Sequence, residues 1–118
     1  MKNRRKELLE QFKQMKPEMG IFRIRSKQGG KCCLETSQNL NGKINSIVFQ
    51  LNAGVHPYRE LQQEWNEYGQ DGFTIEILER LKYGKDEQKD DYSEELAIMK
   101  MIWEEKCAQE GLTFYSKK

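Results

Sequence analysis

Gly20-Ile21-Phe22-Arg23-Ile24-Arg25, then Gly29-Gly30, then Lys31-Cys32-Cys33-Leu34-Glu35-Thr36: this run decides the fold of the 118-residue chain. Phe22 and Ile24 alternate with Ile21, Arg23 and Arg25, so a strand here puts two apolar side chains on one face and the arginines, with Ile21, on the other. The glycine pair supplies a turn and the next six residues a returning strand. Downstream, Asn39 is placed to cap a helix ending near Asn52. That helix carries Leu40, Ile44, Ile47, Val48 and Leu51 on one side, and Gly42 weakens its first turn. Gly54 breaks the chain, and Pro57 seeds a second helix at its first position. Tyr58, Leu61, Trp65 and Tyr68 follow at helical spacing as packing residues, until Gly69 ends the helix. Phe73, Ile75 and Ile77 alternate as a third strand. Residues 82–91 form a charged loop containing Gly84, somewhat long for a plain connection. Tyr92 to Cys107 reads as the last helix, with Leu96, Met99, Ile102 and Trp103 buried, and a short, partly mobile tail follows. Upstream, residues 3–16 read as a helix with Leu8, Phe12 and Met15 on one side, stopped by Pro17.

The order is helix, two strands, two helices, strand, helix. It predicts an α/β (α+β) fold in which a small three-stranded antiparallel sheet is flanked by helices. Residues 1–17 make an additional N-terminal helix and residues 18–118 the domain proper. The length fits one domain with a modest core.

The hydrophobic fraction is 36% and charged residues make up 33%, and the mean hydropathy is -0.93, so the surface must be very polar. The 5 Tyr, 5 Phe and 2 Trp and the patterned apolar positions still argue for a folded globule. No apolar run reaches the length of a membrane span, and no hydrophobic segment follows the basic N-terminus. Both features point to a cytoplasmic protein without a membrane partner. Cys32, Cys33 and Cys107 make no familiar zinc spacing, and the single histidine, His56, cannot complete a conventional site. The cysteines read as buried or semi-buried thiols in a reducing compartment. The net charge of +1 hides an asymmetry: residues 1–59 hold 12 Lys+Arg and 4 Asp+Glu, whereas residues 60–118 hold 8 and 15. If that segregation survives folding, one face attracts phosphates and another repels them.

With these elements in place, the chain resembles the GIY-YIG family of nuclease domains, and in particular its small bacterial and phage members. Gly20-Ile21-Phe22 stands at the first signature tripeptide, and Cys33-Leu34-Glu35 at the second, followed by Thr36-Ser37-Gln38-Asn39-Leu40 as the exit into the first core helix. The stretches from Leu61 to Gly69 and from Phe73 to Glu79 look like the family's second helix and third strand. No one motif is compelling alone; the joint order and spacing are.

The resemblance implies a metal-dependent endonuclease ancestry and a depleted pocket. Active members use signature tyrosines to assist deprotonation of a water, a carboxylate to hold a cation and an arginine to grip the phosphate. In this chain Phe22 and Cys33 replace the tyrosines, and Glu35 replaces the second signature glycine. Lys43 stands in the arginine's place without its two-pronged grip, and Ile47 stands where many members have histidine. His56 reads as a loop residue before Pro57, too far along the chain to substitute for that histidine. Aligned on Trp103, Lys100 falls at the metal-binding glutamate. A one-turn slip brings Glu104 or Glu95 into play instead, and Ser116 lies near a late asparagine of the family.

The leading expectation is therefore a noncatalytic binding or regulatory protein that needs no cofactor. Its phosphate-attracting surface is supplied by Arg23, Arg25, Lys31 and Lys43, helped by Arg4 and Arg5, with DNA as the candidate partner. One alternative is a divergent Mg- or Mn-dependent DNA endonuclease using Glu35 with Glu95 or Glu104. Another is a protein-interaction module, or a homodimer formed through helix 3–16.

Overall fold

The computed structural model describes residues 17–84 and 91–115. The helix expected over 3–16, Ser116 and most of the loop expected over 82–91 lie outside these residues. The described elements are β1 (Met19–Ser26), β2 (Lys31–Ser37), α1 (Leu40–Ala53), α2 (Arg59–Tyr68), a short 3-10 turn (Gln70–Gly72), β3 (Phe73–Leu81), α3 (Ser93–Gln109) and β4 (Thr113–Phe114). No helix among the described residues is long and apolar enough to cross a membrane.

β1 lies between β2 and β3 and runs antiparallel to both, in the sheet order β3-β1-β2-β4. The hairpin register pairs Phe22 with Glu35 and Ile24 with Cys33. At Gly20 the β3 backbone leaves no room for a side chain: a Cβ there would lie 2.1 Å from the Glu79 carbonyl oxygen. The β1–β3 register shifts just beyond it, between Ile21 and Phe22.

Helices cover both faces of the sheet. On one face Phe22, Ile24 and Cys33 pack with Leu40, Ile47 and Leu51 of α1 and Leu61 and Trp65 of α2. On the other, Met19, Ile21, Cys32 and Leu34 pack with Tyr92 and with Leu96, Met99 and Cys107 of α3. Strand residues of either parity are therefore buried, which is why Ile21 and Arg23 of β1 do not face solvent, whereas Arg25 near the end of the strand does. All three cysteines are buried thiols, none of them in a disulfide.

The ends of α1 follow the sequence closely. Asn39 Oδ1 accepts from the Gly42 amide at 3.0 Å, and Gly54 takes a left-handed φ of 80° to close the helix. Gly42 lies tight against the capping side chain, since a Cβ there would come within 2.6 Å of Asn39 Nδ2. The start of α2 departs by two residues: Tyr58 is the cap and Arg59 the first helical residue, so Pro57 precedes the helix instead of opening it. In α3, Ile102 is 47% exposed, contrary to the expected buried stripe. The buried set Leu96, Met99 and Cys107, with half-buried Trp103, turns Ile102 away, and Ile98 and Met101 are exposed as well.

The tail also differs from expectation. β4 adds a fourth strand, parallel to β2, pairing Lys31 with Thr113 and Cys32 with Phe114. The Tyr115 amide donates to the Cys32 carbonyl at 3.0 Å. The Tyr115 side chain is buried among the residues of the α1–α2 side, and its hydroxyl donates to Glu64 Oε1 at 2.9 Å. A single buried aromatic thus anchors a two-residue strand that is too short for alternation to reveal.

Candidate functional site

Two hollows sharing Tyr58 form the candidate cleft. One is lined by Glu35, Lys43, Ile47, Gln50, His56, Pro57 and Tyr58. The other is lined by Cys32, Cys33, Leu34, Tyr58, Lys100, Glu104, Phe114 and Tyr115. β4 pairs with the first two residues of β2, and Cys33, Leu34 and Glu35 beyond them line the cleft.

The positions singled out from the sequence separate into three groups. Phe22 is fully buried among α1 and α2 residues, so its ring is structural. Cys33 and Glu35 come together on β2, where the Cys33 thiol donates to Glu35 Oε1 at 3.9 Å. Lys43 shares one hollow with Glu35, and Lys100 shares the other with Cys33. Glu104 lines the same hollow as Lys100, one turn along α3, whereas Glu95 lines neither. The helix register that places Lys100 at the cleft therefore brings Glu104 there too, on the same side of α3.

Two cleft residues were not anticipated. His56 was read as a distant loop residue, but the turn at Gly54 returns the chain so that His56 and Ile47 border the same hollow. Tyr58 packs against the core as its spacing suggests, and its hydroxyl also reaches the cleft, donating to Glu35 Oε1 at 3.4 Å. The one sequence signal for this pair is that His56 is the chain's single histidine, placed two residues before a tyrosine.

The electrostatics of the pair oppose a role as bases. His56 Nδ1 accepts from the Tyr58 backbone amide at 3.1 Å, so the neutral ring carries its proton on Nε2 and offers a donor there. Burial lowers the His56 pKa, with Glu35 pulling the other way and Lys43 adding to the fall. Burial, then the Glu35 charge, pushes the Tyr58 phenol up to about 12, so it stays protonated at neutral pH. The loop is held by Gln62, whose Oε1 accepts from the His56 amide at 3.0 Å and whose Nε2 donates to the Leu51 carbonyl at 2.9 Å.

The expected phosphate-binding set needs correction. Arg23 is only 8% exposed. Its Nε donates to Glu76 Oε1 at 3.1 Å, its Nη1 donates to Cys107 Sγ at 3.5 Å, and Glu110 lies 3.7 Å away. α3 covers this face of β1, so the guanidinium is turned to carboxylates within the fold and is not offered to a ligand. Lys31 is half-buried in an ion pair with Glu60. Arg25 and Lys43 remain exposed.

The residues of the cleft do not suit a divalent cation. Among the described residues no group of three or more His, Cys, Asp or Glu side chains is placed to hold a metal ion. Ammonium groups line each hollow, and Glu35 already accepts from Cys33 and Tyr58.

No protein-family model matches the chain, and no curated protein matches it in sequence. Solved structures do. The catalytic domain of the intron endonuclease I-TevI, carrying a glutamate-to-alanine substitution, aligns with a TM-score of 0.64 at 20% identity, over 86% of this chain and 94% of that domain. The catalytic domain of homing endonuclease I-TevI aligns with a TM-score of 0.62 at 20% identity, over 80% of this chain and 94% of that one. This likeness shows a GIY-YIG endonuclease-like fold, a mixed α/β sheet flanked by helices.

Proposed function

We propose that this protein is a noncleaving module on a GIY-YIG-like scaffold that binds the backbone of DNA in its cleft. The observation that carries this reading is the pairing of Lys43 with one hollow and Lys100 with the other. These are cations positioned for phosphates where a nuclease of this fold would need a metal ligand and an arginine. His56 with its proton on Nε2 adds a hydrogen-bond donor, which suits a phosphate oxygen better than it suits activation of a water, while the Tyr58 proton is already given to Glu35. Glu35 and Glu104 offset the ammonium charges, so affinity is expected near about 10–100 μM at physiological salt, falling steeply as salt rises.

The test pairs a binding titration of double- and single-stranded DNA across salt concentrations with a nicking assay on supercoiled plasmid in Mg2+ and Mn2+. Salt-dependent binding without nicking is expected. Metal-dependent nicking that disappears in Glu35→Ala or Glu104→Ala would replace this reading with catalysis. Absence of binding at low salt would remove it. A second reading, a protein-interaction module, draws on the exposed apolar residues Ile98, Met101 and Ile102 of α3. Light scattering on the full chain and on Met101→Lys would show self-association through that helix.

A further inference from the structure

α1 is unlike the other helices in charge. Its 14 residues hold one lysine and no carboxylate, whereas α2 carries Glu60, Glu64 and Glu67 and α3 carries Glu94, Glu95, Glu104 and Glu105. Its buried side is formed by Leu40, Ile47 and Leu51. Phe49 lies midway between Ile47 and Leu51 in sequence, which puts it about 180° around the helix from that side. The ring is 73% exposed, the highest value among the large exposed apolar residues of the described chain. Asn45 and Ser46, exposed one turn earlier, bring an amide and a hydroxyl. The same helix places Lys43 and Gln50 in the cleft wall, and Lys43, Ser46 and Phe49 follow at three-residue steps, a row that climbs about 120° around the helix from the cleft edge to the ring.

We propose that the outer face of α1 is a stacking surface for an unpaired nucleobase, with Phe49 as the platform and Lys43 as the neighbouring phosphate contact. The partner is single-stranded or locally unpaired nucleic acid. This rests on the nucleic-acid reading above and makes it specific. A base stacks on an aromatic ring through its π-face whatever its identity, and stacking combined with a cationic track is how strands are held without sequence preference. A helix free of carboxylates does not repel the phosphates that flank such a base. Asn45 and Ser46 supply groups that donate to phosphate or to a base edge. A fully paired duplex keeps its bases stacked on one another and offers Phe49 no free face, so the ring favours unpaired over paired strands.

The experiment uses the full chain, a single-stranded oligonucleotide carrying 2-aminopurine, and the same sequence as a duplex. Binding is followed by anisotropy and by 2-aminopurine quenching. Wild type is expected to bind the single strand more tightly than the duplex and to quench the probe. Phe49→Ala should lose about tenfold in single-strand affinity and lose the quenching, with the salt slope unchanged because no charge is removed. Phe49→Tyr should restore both, and Lys43→Gln should reduce the slope by about 0.7. Because Phe49 is exposed, the alanine variant should melt with wild type.

Wild-type protein that binds while Phe49→Ala binds the single strand equally well would overturn the stacking surface and leave the cleft reading standing. Wild-type protein that binds neither probe would remove both. A wild-type dimer in light scattering that becomes monomeric in Phe49→Ala would assign the face to a second copy of the chain instead.

Discussion

Arg23 and Arg25 are two residues apart on one strand and have different fates. Arg25 is exposed, whereas Arg23 lies beneath α3 with Glu76, Glu110 and the Cys107 thiol around its guanidinium. The guanidinium is buried while Glu76 and Glu110 still reach solvent, so Arg23→Ala opens a void and loses the bonds without stranding a charge, and should cost about 2 kcal/mol in urea unfolding. Arg25→Ala should stay within about 0.5 kcal/mol. His56 provides a pH signature. Its folded pKa lies below the ordinary imidazole value of 6.5 because burial disfavours the imidazolium. The unfolded chain therefore binds the extra proton first as pH falls, and stability declines below pH 6.5 toward the folded pKa, while above 6.5 the full contribution is present. Melting temperatures measured from pH 8 to pH 5 should fall on the acid side, and His56→Gln should flatten that part of the profile.

At the level of elements, the ends of α1 were legible because their chemistry is local. The Asn39 cap and the left-handed Gly54 each act within a few residues of themselves. β4 was not legible, because its stability comes from one distant anchor. Tyr115 is 5% exposed, packed with the α1–α2 side and bonded to Glu64. Tyr115→Ala should cost about 3 kcal/mol and release β4 from β2, visible as faster amide exchange at Thr113 and Tyr115. Tyr115→Phe should cost only about 1 kcal/mol, the value of the hydroxyl bond. The buried side of α3 was misjudged at Ile102 for a related reason. Apolar residues are spread around that helix, and only contact with β1 and β2 selects Leu96, Met99 and Cys107 as the inner set.

Across the whole molecule, folding cancels part of the charge segregation seen along the chain. Arg23 with Glu76, Lys31 with Glu60, and Glu18 with Arg80 each join a residue of the basic half to one of the acidic half. The surface left for phosphates is therefore smaller than the sequence count suggests. The double variant Lys43→Gln, Arg25→Gln should lower the dependence of duplex-DNA affinity on log[salt] by about 1.8 if both touch phosphate. The measurement is the slope of log K against log[salt].

By itself, the sequence determined the order of the elements from β1 to α3, the β1–β2 hairpin, the capped helix that follows it and the residues of the α1 stripe, because periodicity, turns and caps are short-range properties of the chain. The tertiary structure decided which faces are buried and which side chains meet. It covered both sides of the sheet, moved Arg23 from surface to interior, and brought His56 and Tyr58 beside Glu35 and Lys43. The physical reason is the same in each case. Burial and proximity depend on elements far apart in the chain, and a charge is accommodated inside only once its distant partner has been folded against it.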